Sequence, residues 1–290
     1  MMGRGIRAAG LGVAVVCALL ALTASAFATE NLPAFGKCTA MAGGRYRTAG
    51  CTKLAKTTEQ MKYEWGPLSS AVNFTEAKER ATGNAVLEGA SGIQISCTGQ
   101  SAAGEYGPGN EVKNVVDLFT GCEGGGLQCN SEGQPAGHVV TKKLHGEPGV
   151  IKKEVKEEKN IDGVDLRSEE GGNLAEFFCG PISAIVKGGL LVGMQADSTG
   201  GTSGELTNKM VSKVELEYLG EGAGKQASER WTPNGGGVSN SEHNEIAEHL
   251  EMSLLGEPFE AASMQLVTVR STSPSTVKVE LRQCESNIVC

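Results

Sequence analysis

The chain has 290 residues with 39% hydrophobic content, enough for a sizeable core, and a formal net charge of −8 that disfavours nucleic-acid and anionic-membrane partners. Glycine is abundant at 41 residues and aromatic residues make up only 4%, a balance that suits a turn-rich β protein better than a helical one. The scarcity of rings, with Trp65 and Trp231 the only tryptophans, also weighs against a flat carbohydrate-binding platform.

Residues 1–28 read as a secretory signal peptide. Arg4 and Arg7 supply the positive start, the run from Leu11 to Leu22 the apolar stretch, and Ala26-Phe27-Ala28 an A-x-A cleavage site before Thr29. Cys17 sits inside the apolar stretch, not at its end, so the lipoprotein pattern is not met, and Gly5 and Ile6 separate the two arginines that twin-arginine export needs adjacent. Without Arg4 and Arg7 the mature chain has 24 basic and 34 acidic residues, a net charge of −10. No second apolar run approaches the roughly 18 residues of a membrane-spanning helix. The expected location is therefore extracellular or in the cell envelope, with no membrane span after the leader is removed.

Residues 29–67 form a small segment in which Cys38 and Cys51 flank a short hairpin candidate, closing on Tyr63-Glu64-Trp65. Residues 68–84 are polar and read as a linker or a short helix, with Thr75 able to cap a turn running to Arg80. From residue 85 to 283 the apolar pattern has period two. Ile93, Ile95 and Cys97 alternate with polar residues, as do Ala175, Phe177 and Cys179, Val214, Leu216 and Tyr218, and Val277, Val279 and Leu281. Further β runs fall at residues 112–119, 137–144, 164–166, 190–194 and 264–270, separated by glycine-rich turn signals. Such a series predicts an all-β fold, a mainly antiparallel sandwich or barrel, with at most one or two short helices. Residues 241–254 fit either a helix, through Ile246, Leu250 and Leu254, or a strand, through Leu250, Met252 and Leu254. Residues 284–290 are a tail carrying a cysteine pair, and the mixed charge run at 152–159 reads as a solvated strand or hairpin arm.

Once Cys17 leaves with the leader, Cys38, Cys51, Cys97, Cys122, Cys129, Cys179, Cys284 and Cys290 remain, and an even count in an exported chain predicts four disulfides. Proximity suggests Cys38 with Cys51, Cys122 with Cys129 and Cys284 with Cys290, leaving Cys97 to pair with Cys179. No Cys-x-x-Cys is present, which removes the usual spacing of a zinc ribbon or thioredoxin-like site.

Catalytic patterns do not emerge. His243, Glu245 and His249 are the nearest approach to a metal constellation, sharing a face only on a strand, and the stretch lacks the His-Glu-x-x-His of a zincin. Neither Ser91 nor Ser203 completes a G-x-S-x-G elbow, and Ser275 with Lys278 matches S-x-x-K only where a strand is expected. No cofactor motif is legible. Asn73-Phe74-Thr75 is a formal glycosylation sequon.

The chain resembles a group of uncharacterised exported proteins of soil actinobacteria. The resemblance rests on Cys38 and Cys51 followed by Tyr63-Glu64-Trp65, on Ile93-x-Ile95-x-Cys97, Gly104-Glu105-Tyr106 and Phe119-Thr120-Gly121-Cys122, and on Cys129, Gly137-x-Val139-x-Thr141, Leu144-x-Gly146 and Phe177-x-Cys179. It covers roughly residues 35–226, and the terminal cysteine pair departs from it. It implies export and β structure and carries no activity. The expected function is a non-catalytic binding or structural module of the envelope or extracellular space, with an unidentified partner there. The alternative is a secreted hydrolase of polysaccharide or ester whose site is assembled from distant strands.

Overall fold

The computed structural model describes residues 32–78, 83–108, 110–152, 161–196, 214–218, 220–222, 225–226, 230–233, 246–247, 250–265, 269–272 and 280–284. Nearly all of these lie in strands: β1 (Leu32–Ala40), β2 (Tyr63–Pro67), β3 (Val72–Lys78), β4 (Ala85–Gly89), β5 (Gln94–Gly107), β6 (Glu111–Gly124), β7 (Leu127–Asn130) and β8 (His138–Val140) in the first half. There follow β9 (Leu144–Lys152), β10 (Ile161–Ser168), β11 (Asn173–Cys179), β12 (Ile182–Gly188), β13 (Leu190–Ala196), β14 (Val214–Tyr218), β15 (Gly220–Gly222) and β16 (Lys225–Gln226). The last are β17 (Arg230–Pro233), β18 (Ile246–Ala247), β19 (Leu250–Leu254), β20 (Glu260–Gln265), β21 (Val269–Thr272) and β22 (Glu280–Cys284). A single 3-10 turn, Thr58–Gln60, is the helical element among the described residues. The all-β class is as the period-two pattern predicts, and the architecture is a closed antiparallel barrel.

The pairings close into two rings of eight strands. One runs β4-β5-β6-β7-β11-β12-β19-β20 and returns to β4. The other runs β3-β5-β6-β9-β10-β13-β14-β21 and returns to β3. Both use β5 and β6, each 14 residues long, and divide them by length. Residues 94–97 of β5 pair with β4 in the first ring, whereas 101–106 pair with β3 in the second. The rings are therefore stacked along the strand direction as two tiers of one tall barrel. Between β12 in the first tier and β13 in the second the chain turns through Gly188 at φ 105°, a left-handed backbone that other residues adopt only with strain.

A single apolar core runs through both tiers, from Ile95, Phe177 and Met252 in the first to Phe74, Val164 and Val192 in the second. Most outward positions on the shared strands are polar, including Gln94, Thr98, Lys113 and Glu123, with Val116 and Leu118 of β6 as apolar exceptions. That pattern is the reverse of a membrane-spanning barrel, whose outer band is apolar. No described helix is long and apolar enough to cross a membrane.

The N-terminal segment forms its own three-stranded sheet, with β1 between β2 and β22. Its small core consists of Ala34, Tyr46, Cys51 and Trp65. Glycine is required at position 36, where a Cβ would come within 2.3 Å of Cζ2 of Trp65. The sheet sits on the second tier: Phe35 lies 4.7 Å from the ring of Tyr106, which in turn lies 4.4 Å from Phe74. The Phe35 N–H also donates to Oδ1 of Asn110, in the turn joining β5 to β6, at 2.8 Å. One end of the barrel is thus capped by the chain's own N-terminal unit. Within this cap, burial pushes the Glu64 carboxyl up, but the backbone N–H and guanidinium of Arg45 outweigh it and hold the group below its ordinary value.

Several expectations are corrected. Residues 68–84, expected as a linker or short helix, contain β3, a full member of the second tier. Val72 and Phe74 turn inward while Asn73 and Thr75 face out, so pairing with β5 and β21 and the anchorage of Phe74 on Tyr106 override the local capping signal. The run at 137–144 breaks into β8 and the start of β9, and the run at 264–270 into the end of β20 and the start of β21. In residues 241–254 the described parts are strand, β18 and β19, with Leu250 and Met252 inward. Cys284 ends β22 opposite Leu32 of β1. Cys290, most of the 152–159 run and the leader lie outside the described residues.

Three disulfides are formed among the described residues: Cys38–Cys51, Cys97–Cys122 and Cys129–Cys179. The first is as expected, whereas the predicted Cys97–Cys179 and Cys122–Cys129 pairs are overturned. The reason is lateral. Cys97 is the register partner of Cys122 on β5 and β6, and Cys129 is the partner of Cys179 on β7 and β11. Extending the Glu123↔Gln128 register by one residue sets Cys122 beside Cys129, so the four cysteines form one row across four neighbouring strands. Pairing the inner two would leave Cys97 and Cys179 three strand spacings apart, roughly 14 Å, beyond the reach of a disulfide.

Candidate functional site

Alternation on the first-tier strands sends every second side chain inward. Many of these are small, so the ring is not filled. A partly open cavity of about 60 Å³ remains between Ala85 and Leu87 of β4, Ile95 and Cys97 of β5, Phe177 of β11 and Val186 of β12. Leu250 and Met264 complete its wall. On the side of the second tier it is bounded by Val139, Thr141, Leu144 and Leu190. The Cys97–Cys122 bridge borders it, and Met264, only partly buried, is the most adaptable wall residue.

The lining contains one hydroxyl, on Thr141, and no titrating group, Cys97 being bridged. That hydroxyl oxygen accepts the backbone N–H of Asp117 at 2.9 Å. Asp117 is 1% exposed and its Oδ1 accepts from Nε2 of Gln100, itself 5% exposed, at 3.1 Å. This buried polar pair lies where β5 and β6 pass from one tier to the other, beyond Phe119 from the cavity's apolar wall. The cavity can therefore take up a molecule by excluding it from water, and its lining supplies no nucleophile, acid or base.

The sequence candidates do not converge here. His243, Glu245 and His249 lie outside the described residues, as do Ser203, Ser275 and Lys278. Among the described residues no group of three or more His, Cys, Asp or Glu is arranged to hold a metal. Ser91 sits in the β4–β5 turn, where its Oγ donates to Glu260 at 2.8 Å and its N–H to the same carboxylate at 2.9 Å, which pins the turn to β20. Ile95, Cys97, Ala175, Phe177 and Leu250 were recognisable in the sequence by their alternation, whereas Ala85, Leu87, Leu174 and Val186 were not. Their number and order do not reveal that the space between them is left partly open.

A second buried acid lies on β10. Asp165 is 7% exposed, takes the Nε–H of Arg167 on Oδ2 at 2.6 Å, and has its Oδ1 buried without a hydrogen-bond partner. Burial pushes its carboxyl above the ordinary value, against the opposing pull of the Arg167 guanidinium. A carboxyl raised by folding stabilises the fold fully below its unfolded pKa, and that contribution is lost as pH rises through the folded value. The stability of the protein relative to its Asp165→Asn variant is therefore expected to fall as pH rises from about 4 through the raised folded value, read from thermal melts of both. The opposite trend would mean that Arg167 outweighs burial.

No family model, curated protein or solved structure matches this chain. The functional reading therefore rests on the barrel and its cavity.

Proposed function

We propose that the protein is an exported, disulfide-braced binding module of the extracellular space or cell envelope that holds a small, uncharged, apolar molecule inside the first tier of its barrel. The observation that carries this reading is the apolar cavity, walled by side chains such as Leu87, Ile95, Phe177, Val186 and Leu250, with Thr141 its one polar group. The leader pattern at residues 1–28 and the three disulfides support an oxidising compartment. A carboxylate or ammonium group on the guest would be desolvated there without a counter-charge, so fatty acids and amines are excluded in favour of hydrocarbon-like molecules. At about 0.8 kcal/mol per buried methylene, a five-carbon guest gains about 4 kcal/mol, equivalent to a Kd near 1 mM.

Xenon and cyclopentane are suitable probes of such a site. The expected result is saturable shifts of the methyl signals of Val139, Val186 and Leu250 in the oxidised mature protein, together with a rise in Tm. Ala175→Leu, which fills the space from β11, is expected to abolish both while leaving the fold intact by circular dichroism. Methyl signals that do not move, or that move equally in the filled variant, would overturn the proposal.

A further inference from the structure

The seven large apolar side chains exposed among the described residues are not scattered. Met41 and Leu54 lie on the N-terminal cap, 55% and 65% exposed. The other five, Ile93, Leu127, Phe178, Leu255 and Phe259, are 39% to 63% exposed and ring the opposite end of the barrel. Four turns meet at that end: β4 to β5, β6 to β7, β11 to β12, and β19 to β20. Its location follows from β5, which starts at this rim with Gln94 and runs 14 residues to the turn against which Phe35 of the cap is packed.

The two ends carry opposite charge. Residues 32–67 of the cap contain six basic residues, Lys37, Arg45, Arg47, Lys53, Lys56 and Lys62, against Glu59 and Glu64. Glu64 is bound by Arg45, which leaves Arg47, Lys53, Lys56 and Lys62 exposed at the outer edge beside Met41 and Leu54. The rim turns, residues 88–94, 123–128, 178–183 and 254–260, contain Glu88, Glu123, Glu257 and Glu260 and no lysine or arginine. Lys187 of the neighbouring β12 is engaged by the Phe259 ring at 3.7 Å and by Glu251 at 3.1 Å.

We infer that the partner of the rim is the cap of a second copy, so that the protein assembles head to tail. Rim-to-rim and cap-to-cap contacts would each oppose like charges, and an anionic lipid surface would be repelled by the rim. A cap meeting a rim pairs basic with acidic groups around apolar centres. Such a contact is heterologous: it uses a different surface on each partner, leaves one free end of each kind, and grows into short chains or closes into a ring. It does not depend on the cavity or on its guest.

The test uses charge reversal on the exposed residues, which leaves the core untouched. Light scattering of the oxidised mature protein at roughly 10 mM salt is expected to show a molar mass that rises with concentration, and that falls back at roughly 0.5 M salt. The rim variant Glu123→Lys with Glu257→Lys, and the cap variant Lys53→Glu with Lys56→Glu, are each expected to weaken association at least about tenfold, or about 1.4 kcal/mol. Mixing the two variants restores it, because each offers the charge that the other's altered end requires, and so does combining all four changes in one chain. A protein that is monomeric at every concentration in low salt would overturn the inference. So would association that neither variant weakens, which would indicate a symmetric contact, or a mixture that behaves as the sum of its parts.

Discussion

Replacing Cys129 and Cys179 together with alanine lowers the stability of the oxidised protein by about 4 kcal/mol or more, the largest loss expected from removing any of the three described bridges. The chain-entropy contribution grows with the segment enclosed. Separations of 50, 25 and 13 residues for Cys129–Cys179, Cys97–Cys122 and Cys38–Cys51 correspond to about 4, 3.5 and 3 kcal/mol. Topology widens the difference. β7 and β11 share only two register pairs, Phe178↔Asn130 and Cys179↔Cys129, and few further hydrogen bonds, such as Ser131 Oγ to the Glu176 carbonyl at 3.0 Å, so the sulfur bridge carries a larger share of that seam of the first ring. Cys97–Cys122 joins β5 and β6, which already pair along almost their whole length. Both cysteines of the seam are buried, at 0% and 4% exposure, and alanine there also leaves unfilled space. Denaturant melts of the three double variants rank the bridges, and mapping of unreduced peptides checks the connectivity. A greater loss from Cys97 and Cys122 would show that the seam is held by its strands.

Phe177→Ala is expected to cost about 3–5 kcal/mol, because it removes a buried ring from a core position and enlarges an existing cavity that the closed ring cannot collapse around. The same substitution widens the guest site. A benzene-sized molecule at about 100 times its Kd should then return about 2.7 kcal/mol to the variant, with a smaller effect on the unmodified protein. Guest-free and guest-saturated unfolding curves of both proteins measure the two effects together. A loss below about 1 kcal/mol would show that the wall relaxes inward, and would remove the reason for the cavity to persist.

Much of the fold is written in local patterns. The alternation of Ile95 and Cys97, of Phe177 and Cys179, and of Val214, Leu216 and Tyr218 marks strands wherever one face is buried and the other wet. The pattern is weaker where inward positions are occupied by small residues or glycine. That is why the second half of β5, with Ala102 and Gly104 inward, and β9, with Gly146 and Pro148 among its residues, extend beyond the segments that alternation marks. At β3 the local signal pointed to a helix, and partners distant in the chain decided otherwise.

Strand identity, the even cysteine count and the acidic charge all depend on composition or on neighbours within a few residues, and a linear chain carries them openly. Which strands lie side by side depends on contacts between residues tens to hundreds of positions apart. Those pairings placed Cys97 opposite Cys122 and not Cys179, divided β5 and β6 between two rings, and set a basic cap and an acidic rim at opposite ends. The cavity follows from the same closure. Eight inward faces meet around one axis, and whether their side chains fill the middle is settled by the sum of volumes across the ring, a quantity that no single strand contains.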